Sequence, residues 1–200
     1  MDHYIDIQIL PNPEIAAPLV MNQLFYQLHL LLVDGNNHAG ISFPGYQHSQ
    51  GGGLGSCIRL HGTAKVLTAL DITRRVDGIT DYAAVSEVLA VPEQVKNHAV
   101  FVRKHTKSPR DVERKRQHLL KKSGGEWNEE AQESLTRFIG KLNCNYPFAQ
   151  LISHSSAPAK GMDKNHFYLF IDKRITPEKT GQFTKYGLSD PTNHATVPIF

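Results

Sequence analysis

The chain has 200 residues, 40% of them hydrophobic and 20% charged, with a formal net charge of +3 at pH 7. That is enough chain for one large domain or two small ones, with the composition of a soluble globular protein rather than a disordered one. The longest apolar run, Leu28 to Val33, is broken by His29 and is far too short to span a bilayer, so a membrane role is excluded.

No basic leader with a cleavage site opens the chain. The two cysteines, Cys57 and Cys144, make neither a disulfide framework nor a metal-ligand spacing, and read as two reduced thiols in a cytoplasmic protein.

Residues Tyr4 to Leu10 alternate, with Ile5, Ile7 and Ile9 on one face and Asp6 and Gln8 on the other. This is the pattern of a half-buried strand. Pro11, Pro13 and Pro18 then mark a turn and a helix entry. The helix runs to about Val33, with Val20, Leu24, Leu28 and Leu31 at helical spacing, and Asp34-Gly35 ends it. Gly40 to Phe43 reads as a short strand, and Ser56 to His61 as a third. The glycine-rich loop between them lacks the Lys-Ser/Thr ending of a phosphate loop. Thr63 caps a second short helix to Leu70, and Val85 to Val91 gives a fourth strand.

This order is β-α-β-β-α-β, the split βαβ arrangement of ferredoxin-like and RNA-recognition-motif domains. The predicted class is therefore α+β, with a ferredoxin-like N-terminal domain over residues 1–94. A C-terminal α+β domain over residues 95–200 carries a basic helix. Residues 1 to 58 contain no Lys or Arg, so the first domain supports or supplies a catalytic group rather than gripping a nucleic-acid backbone.

After Pro92 the composition changes. Residues 96 to 122 hold ten of the chain's 22 Lys and Arg against two acids, Asp111 and Glu113, a local charge of about +8 that exceeds the net charge of the whole protein. Such a block is either the footprint of a phosphate-binding surface or an ordinary solvated helix face. Val100 to Val102 leads into it as a short extended piece. Its candidate contacts begin with Arg103, Lys104, His105, Lys107 and Ser108. Ser108 and Pro109 suit the cap and first turn of a helix. Along that helix Arg110, Arg114, Gln117, His118 and Lys121 form one stripe, with Val112 and Leu119 nearly opposite. Lys115, Arg116 and Lys122 complete the cations. With so few acids for pairing, the like charges repel until an anion arrives.

Ser123-Gly124-Gly125 breaks the helix. A further helix spans about Asn128 to Leu142, with Leu135, Ile139 and Leu142 on one face. Three strand-like segments follow: Gln150 to His154, His166 to Ile171 and Gln182 to Leu188.

No HxxxH, HExxH or GxSxG pattern is present, so neither a metal site nor a serine-nucleophile elbow is expected. His29 lies in the first helix in line with Phe25 and Leu32, at the edge of the apolar face. A histidine there is either a packed edge residue or an imidazole held for proton transfer. RNA brings its own nucleophile, the 2′-hydroxyl, so one proton acceptor and a group to hold the ribose suffice. The cluster Ser153, Ser155 and Ser156 offers that group.

The segments MDHYIDI at the start, Leu28-His29, GISFP at 40–44 and RKHTKS at 103–108 are followed by ISHSS at 152–156 and HFYLFI at 166–171. KYGLS at 185–189 and the ending VPIF complete the series. In order and spacing these resemble the CRISPR repeat-processing endoribonucleases of type I-F systems, over nearly the whole chain. The resemblance implies metal-independent cleavage, without cofactor, at the 3′ base of a repeat-RNA stem-loop. It also implies a cyclic phosphate end, a retained hairpin product and association with other subunits of the type I-F surveillance complex.

The same resemblance puts the catalytic histidine on His29, the catalytic serine on Ser153 and the active-site tyrosine on Tyr186. It puts base reading on Arg103 and His105, the stacking aromatic on Phe167 and backbone contacts on Ser155 and Ser156. This chain departs from the family pattern in His105, where glutamine is expected, and in using more lysines than arginines in the helix. The alternative from another class is a non-catalytic hairpin-RNA-binding subunit of a guide-RNA complex.

Overall fold

The computed structural model describes residues 1–34, 39–49, 52–95, 97–105, 109–139, 145–153 and 165–200. Contacts divide it into two compact units, one of residues 1–104 with 146–200 and one of residues 105–145. Each sheet and each helix below belongs to one of them.

The first strand, β1 (His3–Ile9), buries Ile5, Ile7 and Ile9 as the alternation requires. Helix α1 (Ala17–Asp34) lays Val20, Leu24, Leu28 and Leu31 into the core, with Phe25 and Leu32 beside them. Strand β2 (Gly40–Ser42) pairs with β3 (Cys57–Gly62), which lies antiparallel to β1. Helix α2 (Ala64–Leu70) is capped by Thr63, whose hydroxyl accepts from the Val66 N–H. Two one-turn helices, α3 (Ile72–Arg75) and α4 (Ile79–Tyr82), have no counterpart in the predicted elements.

The expected strand from Val85 to Val91 is instead two short pieces, β4 (Ala83–Val85) and β5 (Leu89–Ala90), both antiparallel to β1. Ser86 explains the break. Its hydroxyl accepts from the Asp6 N–H at 2.9 Å, substituting a side chain for a ladder carbonyl. The main path of this first sheet is β2-β3-β1-β4, with β5 also on β1.

The second sheet has the order β7-β8-β6-β9, built from β6 (Asn97–Lys104), β7 (Phe148–Ser153), β8 (Asn165–Thr176) and β9 (Val197–Ile199). All its pairings are antiparallel. The chain is thus an α+β protein with two antiparallel sheets. Residues 182–188, expected as a strand, form single bridges and a turn. Thr184 and Gly187 close it, with the Gly187 N–H donating to the Thr184 carbonyl at 2.8 Å. Strand β9, unpredicted, takes the edge beside β6.

One core joins both sheets. Phe43 packs edge-on against Phe25 and Phe101, with ring centroids 5.6 and 5.8 Å apart. Helix α1 also meets the second sheet, where Asn22 Oδ1 accepts from the Gln150 N–H at 2.9 Å. On the two central strands of the first sheet Arg59 donates to both carboxylate oxygens of Asp6, at 2.7 and 2.8 Å, and its guanidinium lies over the touching rings of Tyr4 and Phe200.

In the other unit, α5 (Pro109–Lys122) packs on α6 (Glu129–Ile139) through Leu119, Ala131 and Leu135, with Val112 against them. Val112 and Leu119 therefore do face α6, with Lys115, His118 and Lys122 beside Leu119 at the margin of that contact. Ile139 does not join them and is exposed, contrary to the face expected of it. Leu142 and Cys144 fall outside the described residues, while Cys57 is a free thiol whose pKa burial pushes up to about 11. Among the described residues no helix is long and apolar enough to cross a membrane.

His61 in β3 is fully buried, bonded through Nε2 to Ser42 Oγ at 2.8 Å, with Nδ1 lacking a partner among the described residues. Burial foremost, then the charges of Arg59, the N-terminus and His98, hold its pKa down at about 3. In the unfolded chain the ring takes a proton below about pH 6.5. Stability from this group is therefore complete above pH 6.5 and is lost as pH falls toward 3, at up to about 1.4 kcal/mol per pH unit. Unfolding free energies from urea titrations at pH 7 and pH 5 should differ by about 2 kcal/mol more in the natural protein than in His61→Asn. Equal differences would show that the ring does not stay neutral in the fold.

Candidate active site and nucleic-acid interface

His29 sits three-quarters of the way along α1, one turn after the fully buried Phe25, so its ring leaves the core at the helix edge and is half-buried. Tyr186, from the turn at 184–187, stacks on it with ring centroids 4.0 Å apart and 16° between planes. Tyr186 in turn leans on Phe25 at 6.4 Å. The next contact fixes the proton. The His29 Nδ1–H donates to the Lys185 carbonyl at 2.8 Å, because a carbonyl can only accept. In the neutral ring this leaves Nε2 as a bare acceptor, the tautomer a general base needs.

Desolvation at the helix edge is the main cause of a His29 pKa below its usual value. The Lys185 hydrogen bond opposes it, and the Lys185 charge adds to the lowering. Lys185, from a distant part of the chain, thus places a cation beside the site. Neither Lys185 nor Gly187 was visible as a functional residue. A backbone carbonyl leaves no sequence signature, and the only signal was the turn-forming spacing of Thr184 and Gly187.

Ser153 is the last residue of β7 and half-buried. On the same face of the second sheet, by the alternation of β6 and β8, come Arg103 and Phe167, the guanidinium 5.7 Å from the ring centroid. Phe167 packs against the core and so holds its ring at a fixed place. Lys104, one residue on, points to the other face. His105 is exposed and opens the second compact unit.

In α5, Arg114 meets Asp111 at 3.1 Å and Arg116 meets Glu113 at 3.0 Å, both one turn apart. The two acids of the block are therefore both engaged, and the expectation of nearly unpaired charge needs correcting for these two arginines. Such exposed pairs are weak, screened by solvent and salt, and yield readily to a phosphate. Lys115, His118 and Lys122 flank a shallow depression against α6, shared with Asn128 and Glu130. Lys121 is exposed. Lys107, Ser108, Ser155 and Ser156 lie outside the described residues, as does the side chain of Arg110. Among the described residues no three His, Cys, Asp or Glu side chains gather as a metal site.

A stacked, tautomer-fixed imidazole in one unit and a cationic helix in the other form the setting for comparison with known proteins. The sequence model of the family described as CRISPR-associated protein (Cas_Csy4) matches residues 4–200. A CRISPR-associated endonuclease Cas6/Csy4 of Escherichia coli (strain UTI89 / UPEC) is 36% identical over 207 aligned residues, covering 100% of both chains. Another CRISPR-associated endonuclease Cas6/Csy4, from Pseudomonas aeruginosa (strain UCBPP-PA14), is 34% identical, covering 94% of this chain and 96% of its own. With a family match over nearly every residue and end-to-end relatives above 30% identity, the chain belongs to the Csy4 family of CRISPR-associated proteins.

Proposed function

We propose that this protein is a metal-independent endoribonuclease that binds the stem-loop of CRISPR repeat RNA, cuts at its 3′ base and keeps the guide RNA. The observation that carries this reading is the His29 ring, stacked on Tyr186 and fixed by the Lys185 carbonyl, in a chain whose relatives are named endonucleases. In the proposed reaction His29 Nε2 takes the proton of the ribose 2′-hydroxyl. The 2′-oxygen attacks the adjacent phosphorus, the bond to the 5′-oxygen breaks, and the imidazolium or water returns a proton to that leaving oxygen. A 2′,3′-cyclic phosphate results. The charge formed is brief and needs no redox partner.

Ser153 is assigned to orient the 2′-hydroxyl. What supports it is the course of α1 beside β7. From the Asn22–Gln150 hydrogen bond, Tyr26 and Ile152 continue along one shared cavity with His166. His29 lies seven residues beyond Asn22, about 10 Å along a helix, and Ser153 three residues beyond Gln150, about 10 Å along a strand. Phe167 is assigned to stack on the base of the hairpin, and Arg103 and His105 to read bases.

The cations of α5 are assigned to the stem, whose groove is open at its end although deep A-form grooves otherwise exclude side chains. The ferredoxin-like description of residues 1–94 is supported by the strand order β2-β3-β1-β4. The RNA-binding role of residues 95–200 is supported by the basic block. A place among other subunits of a type I-F complex in the cytoplasm completes the reading.

The deciding experiment incubates the protein with repeat RNA in EDTA, using an all-ribose strand and one with a single 2′-deoxy nucleotide at the cut site. Cleavage of the first alone is expected. Equal retention of both RNAs without cleavage would make the chain a hairpin-binding subunit, and cleavage only with magnesium would sink the mechanism. Removing Lys121 and Lys122 together should weaken binding and lower the slope of log K against log salt by about 1.4–1.8. An unchanged slope would mean that these two ammonium groups never meet a phosphate.

A further inference from the structure

The outer face of the second sheet carries rings that neither the core nor the catalytic reading uses. The register Phe148↔Phe170 and Gln150↔Tyr168 puts Phe148, Tyr168 and Phe170 on one side of β7 and β8. The rings touch, with centroids 5.1 Å apart for Phe148–Tyr168 and 5.3 Å for Phe148–Phe170. Yet Phe148 is 47% exposed and Tyr168 55% exposed. Large side chains left this open, in mutual contact, are uncommon on a soluble protein and point to an occupant.

The chemistry beside them narrows the occupant. Lys104 pairs with Phe170 across β6 and β8, so it shares this side, and its ammonium lies 5.5 Å from the centroid of Tyr146. Tyr146 stacks on His48 at 4.5 Å with 13° between planes. His166, paired with Ile152, stands exposed on the same side. The carboxylate on this side, Asp172, is engaged by Arg174 at 3.5 Å. Open rings inclined to one another, with the Lys104 ammonium at the rim, suit flat bases joined by phosphates. An apolar protein surface would gain nothing from Lys104 and would desolvate it.

The outer face lies within a short tail's reach of the site on the inner one. Ser153 and Phe167 occupy the inner face of the same strands, and Phe148 lies about 17 Å from Ser153 along β7 at 3.4 Å per residue. We infer that this outer face is a stacking platform for a short unpaired stretch of RNA continuous with the bound hairpin. The inference deepens the proposed function and rests on it for the identity of the hairpin.

The test measures fluorescence anisotropy with labelled decauridylate, and with repeat hairpins lacking or bearing a ten-nucleotide unpaired tail. Phe148→Ala/Tyr168→Thr should bind decauridylate about tenfold or more weakly, since a stacked base is worth ~1–3 kcal/mol. It should lose the affinity that the tail adds and bind the tailless hairpin as before. Tyr168→Trp, which keeps a ring, should retain the tail effect and confirms folding if the double variant melts early.

Decauridylate binding undiminished in the double variant would overturn the inference and leave the face to a protein partner. Loss of tail affinity in Tyr168→Trp as well would also overturn it. A tail effect that survives in a protein unable to cut RNA would remove the catalytic reading and keep the platform. Cutting with no tail effect would do the reverse.

Discussion

Replacing His29 by alanine is expected to slow cleavage of repeat RNA by about 10²–10⁴-fold, the range lost with a positioned general base. Affinity for uncut RNA should stay within about 0.6 kcal/mol, a factor of three, because the cations assigned to the RNA lie elsewhere in the chain. The pH profile gives an independent check. A base acts when neutral, and His29 is neutral above its pKa. Burial and the Lys185 charge hold that pKa below its usual value. The acid limb of kcat/KM, which reports the free enzyme, should therefore fall below pH 6.5. Bound phosphate raises the pKa again, so the limb of kcat should lie at higher pH than that of kcat/KM. Tyr186→Phe keeps the stack and should keep most activity, whereas Tyr186→Ala frees the ring. Cleavage by His29→Ala at the natural rate would remove the imidazole from the mechanism.

Local periodicity made part of this fold legible. Ile5, Ile7 and Ile9, the apolar stripe of α1 and the Thr63 cap are set by neighbours in sequence, and each stands where the pattern puts it. The failures come from contacts that sequence does not display. The fourth strand breaks because the Ser86 hydroxyl finds the Asp6 N–H eighty residues away. Residues 182–188 alternate like a strand, but the alternation arises from a turn that buries Leu188 while Tyr186 meets His29.

The same division runs through the site. His29 is readable as an edge histidine of a helix, and the charge of residues 96–122 is readable as a block. The partners that give the imidazole its tautomer come from a distant turn, one of them a backbone carbonyl. The i,i+3 engagement of Arg114 and Arg116 needed the helix register.

Gly187→Ala is expected to damage stability and catalysis together. Gly187 has φ +69°, a left-handed conformation that costs other residues about 1–2 kcal/mol. A Cβ there would stand 2.7 Å from Ile41 Cγ1 and 3.1 Å from Leu32 Cδ1. Both neighbours are buried, so neither swings aside without disturbing the core, and overpacking adds about 1–3 kcal/mol. A total near 2–5 kcal/mol corresponds to a fall in Tm of roughly 4–20 °C for a chain of this size.

The catalytic loss follows from where the glycine sits. Its N–H closes the turn on Thr184, and its carbonyl accepts from the Ile41 N–H at 2.7 Å. Between these anchors lie the Lys185 carbonyl and the Tyr186 ring, so relieving the clash displaces both groups that hold His29. A displacement near 1 Å can cost about 10² in rate, and kcat should fall far more than RNA affinity. Gly78→Ala separates strain from position. Gly78 has φ +65°, but an added Cβ would approach nothing nearer than Asp81 Oδ2 at 3.6 Å. That variant should lose only the conformational cost and keep its kcat. If both variants cut RNA equally well at a temperature where both are folded, the turn at 184–187 does not position the imidazole.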